Sequence, residues 1–440
     1  MLHPAETRTA PEGMVATVDH LATAVGVDLL RHGGSAADAA VGANAVLAVV
    51  APHMCGMGGD AWALVYTGGA TPEALDASGF AGSGADPDRR RAEGLDRIPL
   101  KGHVAAVTVP GAVDGWLALH ERHGRLPLGE VLAEAIRFAT HGFPASPLLA
   151  ASAPLVARVE NNTDIPGGLR PGETVRRPGS ARALAALVEH GRAGFYGGEF
   201  GEGLLALGDG EFAPDDLERP IARWVDPLDV TAWGHRIWTV PPTSQGYLIC
   251  AAAWMLDQML VPDDPDDPLW AHLLAEAAAA AAHDRTSVLY DGADGRALLD
   301  PRRLVPRHLA IDPERAAHLD VPPLTGDTTY LCAVDGDGMG VSLINSNASG
   351  FGAHLVAGTS GIFVHDRGIG FNLVPGHPAE YGPGRRPPHT LSPALVTHPD
   401  GSLRAVLGTM GGDAQPQIVL QLLARLLAAG QDPGRAIGAG

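Results

Sequence analysis

The chain has 440 residues, 45% of them hydrophobic and only 18% charged, so it has ample apolar surface for a core and falls outside the disordered, highly charged classes. By length it is one large globular unit or two or three ordinary domains. Its formal net charge of −19 repels phosphate backbones and anionic lipid heads at long range, which argues against nucleic-acid and membrane partners.

The first residues show no basic stretch leading into an apolar one, so no secretory signal is expected and a cytoplasmic location is read from that. Ser35, with Asp38 three positions on, reads as an N-cap with a reciprocating carboxylate opening an alanine-rich helix to about Val50. The apolar run from Val41 to Pro52 is too short to cross a bilayer and reads as a helix buried on most faces. A β-prone run follows at 62–66. Leu128, Leu132, Ala135, Ile136 and Ala139 recur at helical spacing before Gly142, as do Leu184, Leu187 and Val188 before Gly191. A second β-prone run lies at 236–240, and the alanine-rich run 272–283 reads as an interior helix.

From Thr328 strands dominate. Runs 329–334 and 341–344 flank Asp335-Gly-Asp-Gly338, the strongest hairpin signal in the chain. Runs 361–365, 393–397 and 404–408 read as further short strands, and 417–427 as a helix with leucines and Ile418 on one face. The pattern predicts helices outside and sheets within, joined by tight turns that use many of the 57 glycines and 36 prolines.

Several motifs fail on inspection. Asp335-x-Asp337 imitates a calcium loop, but Met339 stands where an oxygen ligand is needed and no glutamate closes the loop, so a plain turn is expected. Gly56-x-Gly58-Gly59 lacks the third glycine of a dinucleotide fingerprint and leads into a strand. The histidines form no His-x-x-x-His pair, and Cys55, Cys250 and Cys332 are odd in number and far apart, so neither a metal, a cofactor nor a disulfide is expected. No Gly-x-Ser-x-Gly elbow occurs. What survives is Thr328 in Gly326-Asp327-Thr328-Thr329-Tyr330. If the bond after Asp327 is cut, the new α-amine, with a reference pKa near ~8, serves as base to the threonine's own Oγ. Gly411-Gly412 offers bare backbone N–H groups for an oxyanion.

Gly33-Gly-Ser-Ala-Ala-Asp-Ala-Ala40, Pro52-His-x-x-Gly56-x-Gly58-Gly59, Pro241-Pro-Thr-Ser244, Ala282-His-Asp-Arg285, Asp327-Thr-Thr329, Gly358-Thr-Ser-Gly-Ile362, Arg386-Pro387, Leu391-Ser-Pro393 and Gly411-Gly412 occur in the order of one family. Over nearly the whole chain the sequence resembles the γ-glutamyltranspeptidase superfamily of N-terminal-nucleophile hydrolases. The resemblance implies an α+β fold, a four-layer αββα sandwich, and self-cleavage between Asp327 and Thr328. It then implies a large segment 1–327 and a small segment 328–440 that stay associated as one intertwined unit, with a homo-oligomer left open. It puts the nucleophile at Thr328, an assisting hydroxyl at Ser346, and the oxyanion donors at Gly411 and Gly412.

The family's substrate residues do not all carry over. Its carboxylate-binding arginine falls at Ser78, its acidic pair at Ile369-Gly370, and its paired serines at His389-Thr390. The runs Arg367-Gly-Ile-Gly-Phe371 and 408–417 resemble instead the branch with oxamate amidohydrolase and other non-glutamyl acylases. The expected activity is therefore hydrolysis or transfer of a small carboxylated, oxalyl-like acyl group through an ester on Thr328, with Arg367, His389, Thr390 and Asn345 binding the small-molecule substrate. Arg367 suits the carboxylate because its planar fork makes two parallel hydrogen bonds. Two alternatives stand beside it. One is a biosynthetic relative that cleaves a C–C bond in a proline-like antibiotic precursor. The other is an uncleaved pseudoenzyme with a binding role, suggested because relatives continue beyond the helix at 417–427 while this sequence stops at Gly440.

Overall fold

A computed structural model describes residues 6–69, 71–208, 210–317 and 328–439. Its strands in chain order are β1 (Gly13–Ala16), β2 (Asp60–Tyr66), β3 (Glu73–Ala77), β4 (Phe143–Pro144), β5 (Thr174–Val175), β6 (Arg223–Val225), β7 (Leu228–Ala232), β8 (His235–Thr239), β9 (Thr329–Asp335), β10 (Gly340–Ser346), β11 (Ala394–Thr397) and β12 (Leu403–Leu407). They form a six-stranded sheet ordered β1-β9-β10-β2-β3-β6 and a four-stranded sheet ordered β12-β11-β8-β7, both antiparallel throughout, while β4 and β5 make a small separate ribbon.

The two-residue period of the strands sorts their side chains into layers. On β2, Trp62, Leu64 and Tyr66 face the second sheet, where they meet Trp238 of β8 and Leu395 of β11. The alternating Ala63 and Val65 face outward onto a helical layer containing Ala36–Val50, Leu128–His141 and Pro178–His190. Ile237 of β8 and Ala394 and Val396 of β11 likewise face Tyr247–Asp257, Pro268–Ala282 and Gln415–Leu423. Two sheets meet at the centre and helices cover both outer faces, so the fold is the expected αββα sandwich.

Local signals explain several elements. Ser35 and Asp38 form the reciprocal capping box, and every residue of the helix Ala36–Val50 is buried. Gly142 and Gly191, at φ 100° and 59°, end two helices where the sequence places their stops. The Asp335–Gly338 turn closes β9 onto β10, with the Asp335 carboxylate accepting from Asp337, Met339 and Ala36 N–H groups, so that carboxylate serves the turn and the helix start. Two readings need correction. Run 361–365 makes only isolated bridges, Gly58 to Val364 and Val356 to Phe363, because its neighbours are loops. The last leucine-rich helix also changes character, passing into a π turn at Ala424–Ala428.

Candidate active site

The register of the β9–β10 hairpin brings the two expected hydroxyls together. Thr329 pairs with Asn345, so Thr328, one residue earlier, falls beside Ser346 at the end of β10. Their Oγ atoms are 3.0 Å apart, both residues are buried, and Ser346 Oγ also accepts the Ala348 N–H at 2.8 Å. Asp327 lies outside the described residues.

Asn345 holds the glycine loop in place. Its Oδ1 accepts from Gly56 N–H at 3.1 Å and its Nδ2 donates to the Asp60 carbonyl at 2.8 Å. The glycines there are needed for close approach, since a Cβ on Gly59 would stand 2.4 Å from the Ser346 carbonyl oxygen. These contacts leave Asn345 framing the Ser346 backbone, with its amide groups turned to that loop.

Asp60, at the start of β2, pairs across the ladder with Ser346 and gathers an acid–base cluster. Its Oδ2 receives His389 Nε2 at 3.1 Å and lies 3.5 Å from His365 Nδ1, while Oδ1 accepts the Gly79 and Gly111 N–H groups. Burial opposes ionisation of Asp60, but the two imidazoles and the backbone donors outweigh it and hold the carboxyl below its usual range. Burial pushes His389 downward, and its Nδ1 accepts from Leu391 N–H. Both ring nitrogens of His389 are thus committed within the protein. The sequence reading missed Asp60 because its partners lie as far as 329 positions away.

A cleft of about 390 Å³ opens over this region, lined on its polar side by Arg285, Arg367, His389, Thr390 and Asp413. Thr328, Ser346, Asn345, Gly411 and Gly412 do not themselves line it; Ala348, whose N–H donates to Ser346 Oγ, does, so the hydroxyl pair lies one residue behind the cleft wall. Arg367 Nη1 donates to Thr390 Oγ1 at 3.1 Å, and its Nε has no hydrogen-bond partner among the described residues. Burial lowers the Arg367 pKa and nearby Asp413 and Asp366 raise it, yet a guanidinium stays protonated in proteins. Gly411 and Gly412 immediately precede Asp413, both at positive φ.

The positions where the family's glutamyl readers fall look different. Ser78 is fully buried, donates its hydroxyl to Asp76 at 2.6 Å, and does not line the cleft. Gly370 does line it, but a Cβ there would meet the Pro388 carbonyl oxygen at 2.4 Å. Arg285, which lines the cleft, and Gln245, fully buried and bonded to it, are residues to which sequence reasoning gave no role. Arg285 ends a quoted motif and Gln245 follows one directly, the only signal that could have singled them out. Among the described residues no cluster of His, Cys, Asp and Glu suits a metal ion, and no helix is long and apolar enough to cross a membrane.

Comparison with known proteins agrees with this architecture. Residues 22–440 match the family model described as Gamma-glutamyltranspeptidase. The oxamate amidohydrolase proenzyme of Klebsiella pneumoniae is 34% identical over 96% of this chain and 83% of its own length. The glutathione hydrolase-like YwrD proenzyme of Bacillus subtilis is 33% identical over the same shares. The crystal structure of cephalosporin acylase from Bacillus halodurans superposes with a TM-score of 0.91 at 32% identity, covering 99% of this chain and 85% of that one. Sequence and fold agree from the first helix to the last, and on that ground the chain belongs to the γ-glutamyltranspeptidase family of hydrolases and transferases, near its non-glutamyl members.

Proposed function

We propose that the protein is a self-processing amidohydrolase that removes a small carboxylated acyl group from an amine through an ester on Thr328. The observation that carries this reading is the buried Thr328–Ser346 hydroxyl pair beside a cleft whose wall presents the Arg367 guanidinium. Maturation starts when Thr328 Oγ attacks the Asp327 carbonyl carbon. The amide nitrogen leaves as the new α-amine, and water hydrolyses the resulting ester. In turnover the α-amine takes the Oγ proton as Oγ adds to the substrate carbonyl, and returns it to the departing amine. Water then releases the acyl group as a carboxylic acid and regenerates Thr328.

Arg367 reads the acyl carboxylate through its fork, with Thr390 fixing one arm. Gly411 and Gly412 stabilise the oxyanion. The apolar part of the cleft, which includes Leu100, Leu289 and Phe371, receives the amine half. The buried Ser78 and the crowded Gly370 support a non-glutamyl acyl group, and the relative named for oxamate supports an oxalyl-like one.

The test is direct. Thr328→Ala should remain a single chain on a denaturing gel, whereas the native protein yields fragments 1–327 and 328–440. Both fragments appearing in Thr328→Ala would overturn the assignment of the nucleophile.

A further inference from the structure

We infer that Gln245 and Arg285 are positioning residues that clamp the Gly411–Gly412 turn, so that its N–H groups are aimed before substrate arrives. This rests on the reading of that turn as the oxyanion site.

Two consecutive glycines are the most permissive pair a chain can hold, so the direction of their N–H groups has to be imposed by neighbours. Here φ is 117° at Gly411 and 55° at Gly412, and neither N–H has an acceptor among the described residues. The Gly411 carbonyl accepts Ala414 N–H at 3.0 Å, which turns the N–H on the other side of that planar peptide away from the helix start. The next peptide, Gly412–Asp413, has its carbonyl bonded by Gln415 N–H at the helix start and is held from outside the turn as well. Gln245 Nε2 donates to the Gly412 carbonyl at 3.0 Å and to the Thr390 carbonyl at 3.1 Å. Gln245 Oε1 accepts from Arg285, and the same Arg285 nitrogen lies 2.6 Å from the Asp413 carboxylate.

The side-chain amide is the group this place requires. Gln245 is fully buried, and its donor and acceptor atoms are all engaged, so a carboxylate would lose both donated bonds. Through Thr390 the clamp also reaches Arg367, making the carboxylate wall and the oxyanion turn one hydrogen-bonded unit. Donors of this kind stabilise the transition state selectively, and their value depends on their being fixed in advance.

The experiment uses the full matured protein with 4-nitrooxanilic acid as substrate. A carboxylated boronic acid that adds to Thr328 Oγ serves as transition-state probe and oxalate as ground-state probe. Gln245→Ala should lower kcat about 100-fold and weaken the boronate in parallel, with KM and oxalate affinity within about threefold of the native values. Arg285→Ala should do the same to about tenfold, and Arg285→Lys should recover most of it because a cation is restored beside Asp413 and Gln245. The Arg285 side chain is 22% exposed, so its variants carry the test if Gln245→Ala does not fold. Unchanged kcat and boronate affinity in Arg285→Ala would overturn the inference while leaving the site reading intact, and so would equal losses of boronate and oxalate. Failure of the native protein to bind boronate on Thr328 would overturn both.

Discussion

At Arg367 one buried side chain carries the proposed choice of acyl group. Its Nη1 is tied to Thr390 while Nε is buried without a partner, an arrangement that is costly unless an anion completes it. Removing a charge-assisted bidentate contact should cost about 2–4 kcal/mol in kcat/KM, and lysine should restore little because it lacks the planar fork. We therefore expect Arg367→Ala and Arg367→Lys both to lose about 30- to 1000-fold on a carboxylated substrate and far less on its neutral methyl ester. Both variants should still mature, since self-cleavage involves no substrate carboxylate. Kinetics on the acid and ester pair, after a gel confirms two chains, is the check, and equal losses on both would make Arg367 structural. His389, expected to bind substrate, is tied into the protein at both ring nitrogens. It lines the cleft, but its nitrogens face Asp60 and Leu391, so it braces the wall.

The helix Ala36–Val50 shows how one element supports the β9–β10 hairpin. Asp38 is fully buried and its Oδ2 accepts from Ser35, Arg125 and Leu126 N–H groups, while the helix's first N–H donates to Asp335 in the β9–β10 turn. Asp38→Ala leaves several buried donors without an acceptor and should destabilise the fold by about 3 kcal/mol, with Asp38→Asn losing about half of that. Denaturant midpoints at pH 7.5 measure it, and a loss under about 0.5 kcal/mol would mean that water replaces the carboxylate. This helix was legible in the sequence because its cap and its apolar run are local signals. So was the Asp335–Gly338 hairpin, whereas Ser346 was singled out by the family resemblance and its place beside Thr328 is set by the register of that hairpin. Run 361–365 was misread because its β-prone residues meet loops, and only tertiary structure supplies a partner strand. Asp60 with His365 and His389, and Arg285 with Asp413, stayed hidden because they join distant parts of the chain and no local spacing encodes them.

Across the whole molecule the strands before and after Thr328 interleave: β9 and β10 lie between β1 and β2, and β11 joins β8 to β12. The proposed cut before Thr328 would leave these ladders intact, so stability after it would depend on the same buried groups as before it. The most consequential of these for pH is His53. It is 4% exposed, neither ring nitrogen has a hydrogen-bond partner among the described residues, and burial pushes its pKa down to about 4. Backbone bonds from Phe351 to His53 and from Asn347 to Met54 tie its loop to the segment following Ser346. Because the folded pKa lies below the unfolded value near 6.5, the unfolded chain binds a proton first as pH falls. His53 therefore imposes no pH-dependent penalty above about pH 6.5, and stability is lost progressively down to about pH 4. The loss amounts to about 2 kcal/mol by pH 5 and about 3 kcal/mol once both states are protonated. His389 is shifted in the same direction by burial and adds to it, and Asp60, held low by its imidazoles, continues the trend at still lower pH. The urea midpoint of the matured protein should thus fall steeply between pH 7 and pH 5. In His53→Phe, which keeps a ring against Phe351 but cannot titrate, the fall should be shallower by about 2 kcal/mol, whatever the variant's absolute stability. Parallel pH profiles for the two proteins would show that His53 is protonated equally in the folded and unfolded chains, and the acid sensitivity would then have to come from His389 and the carboxylates.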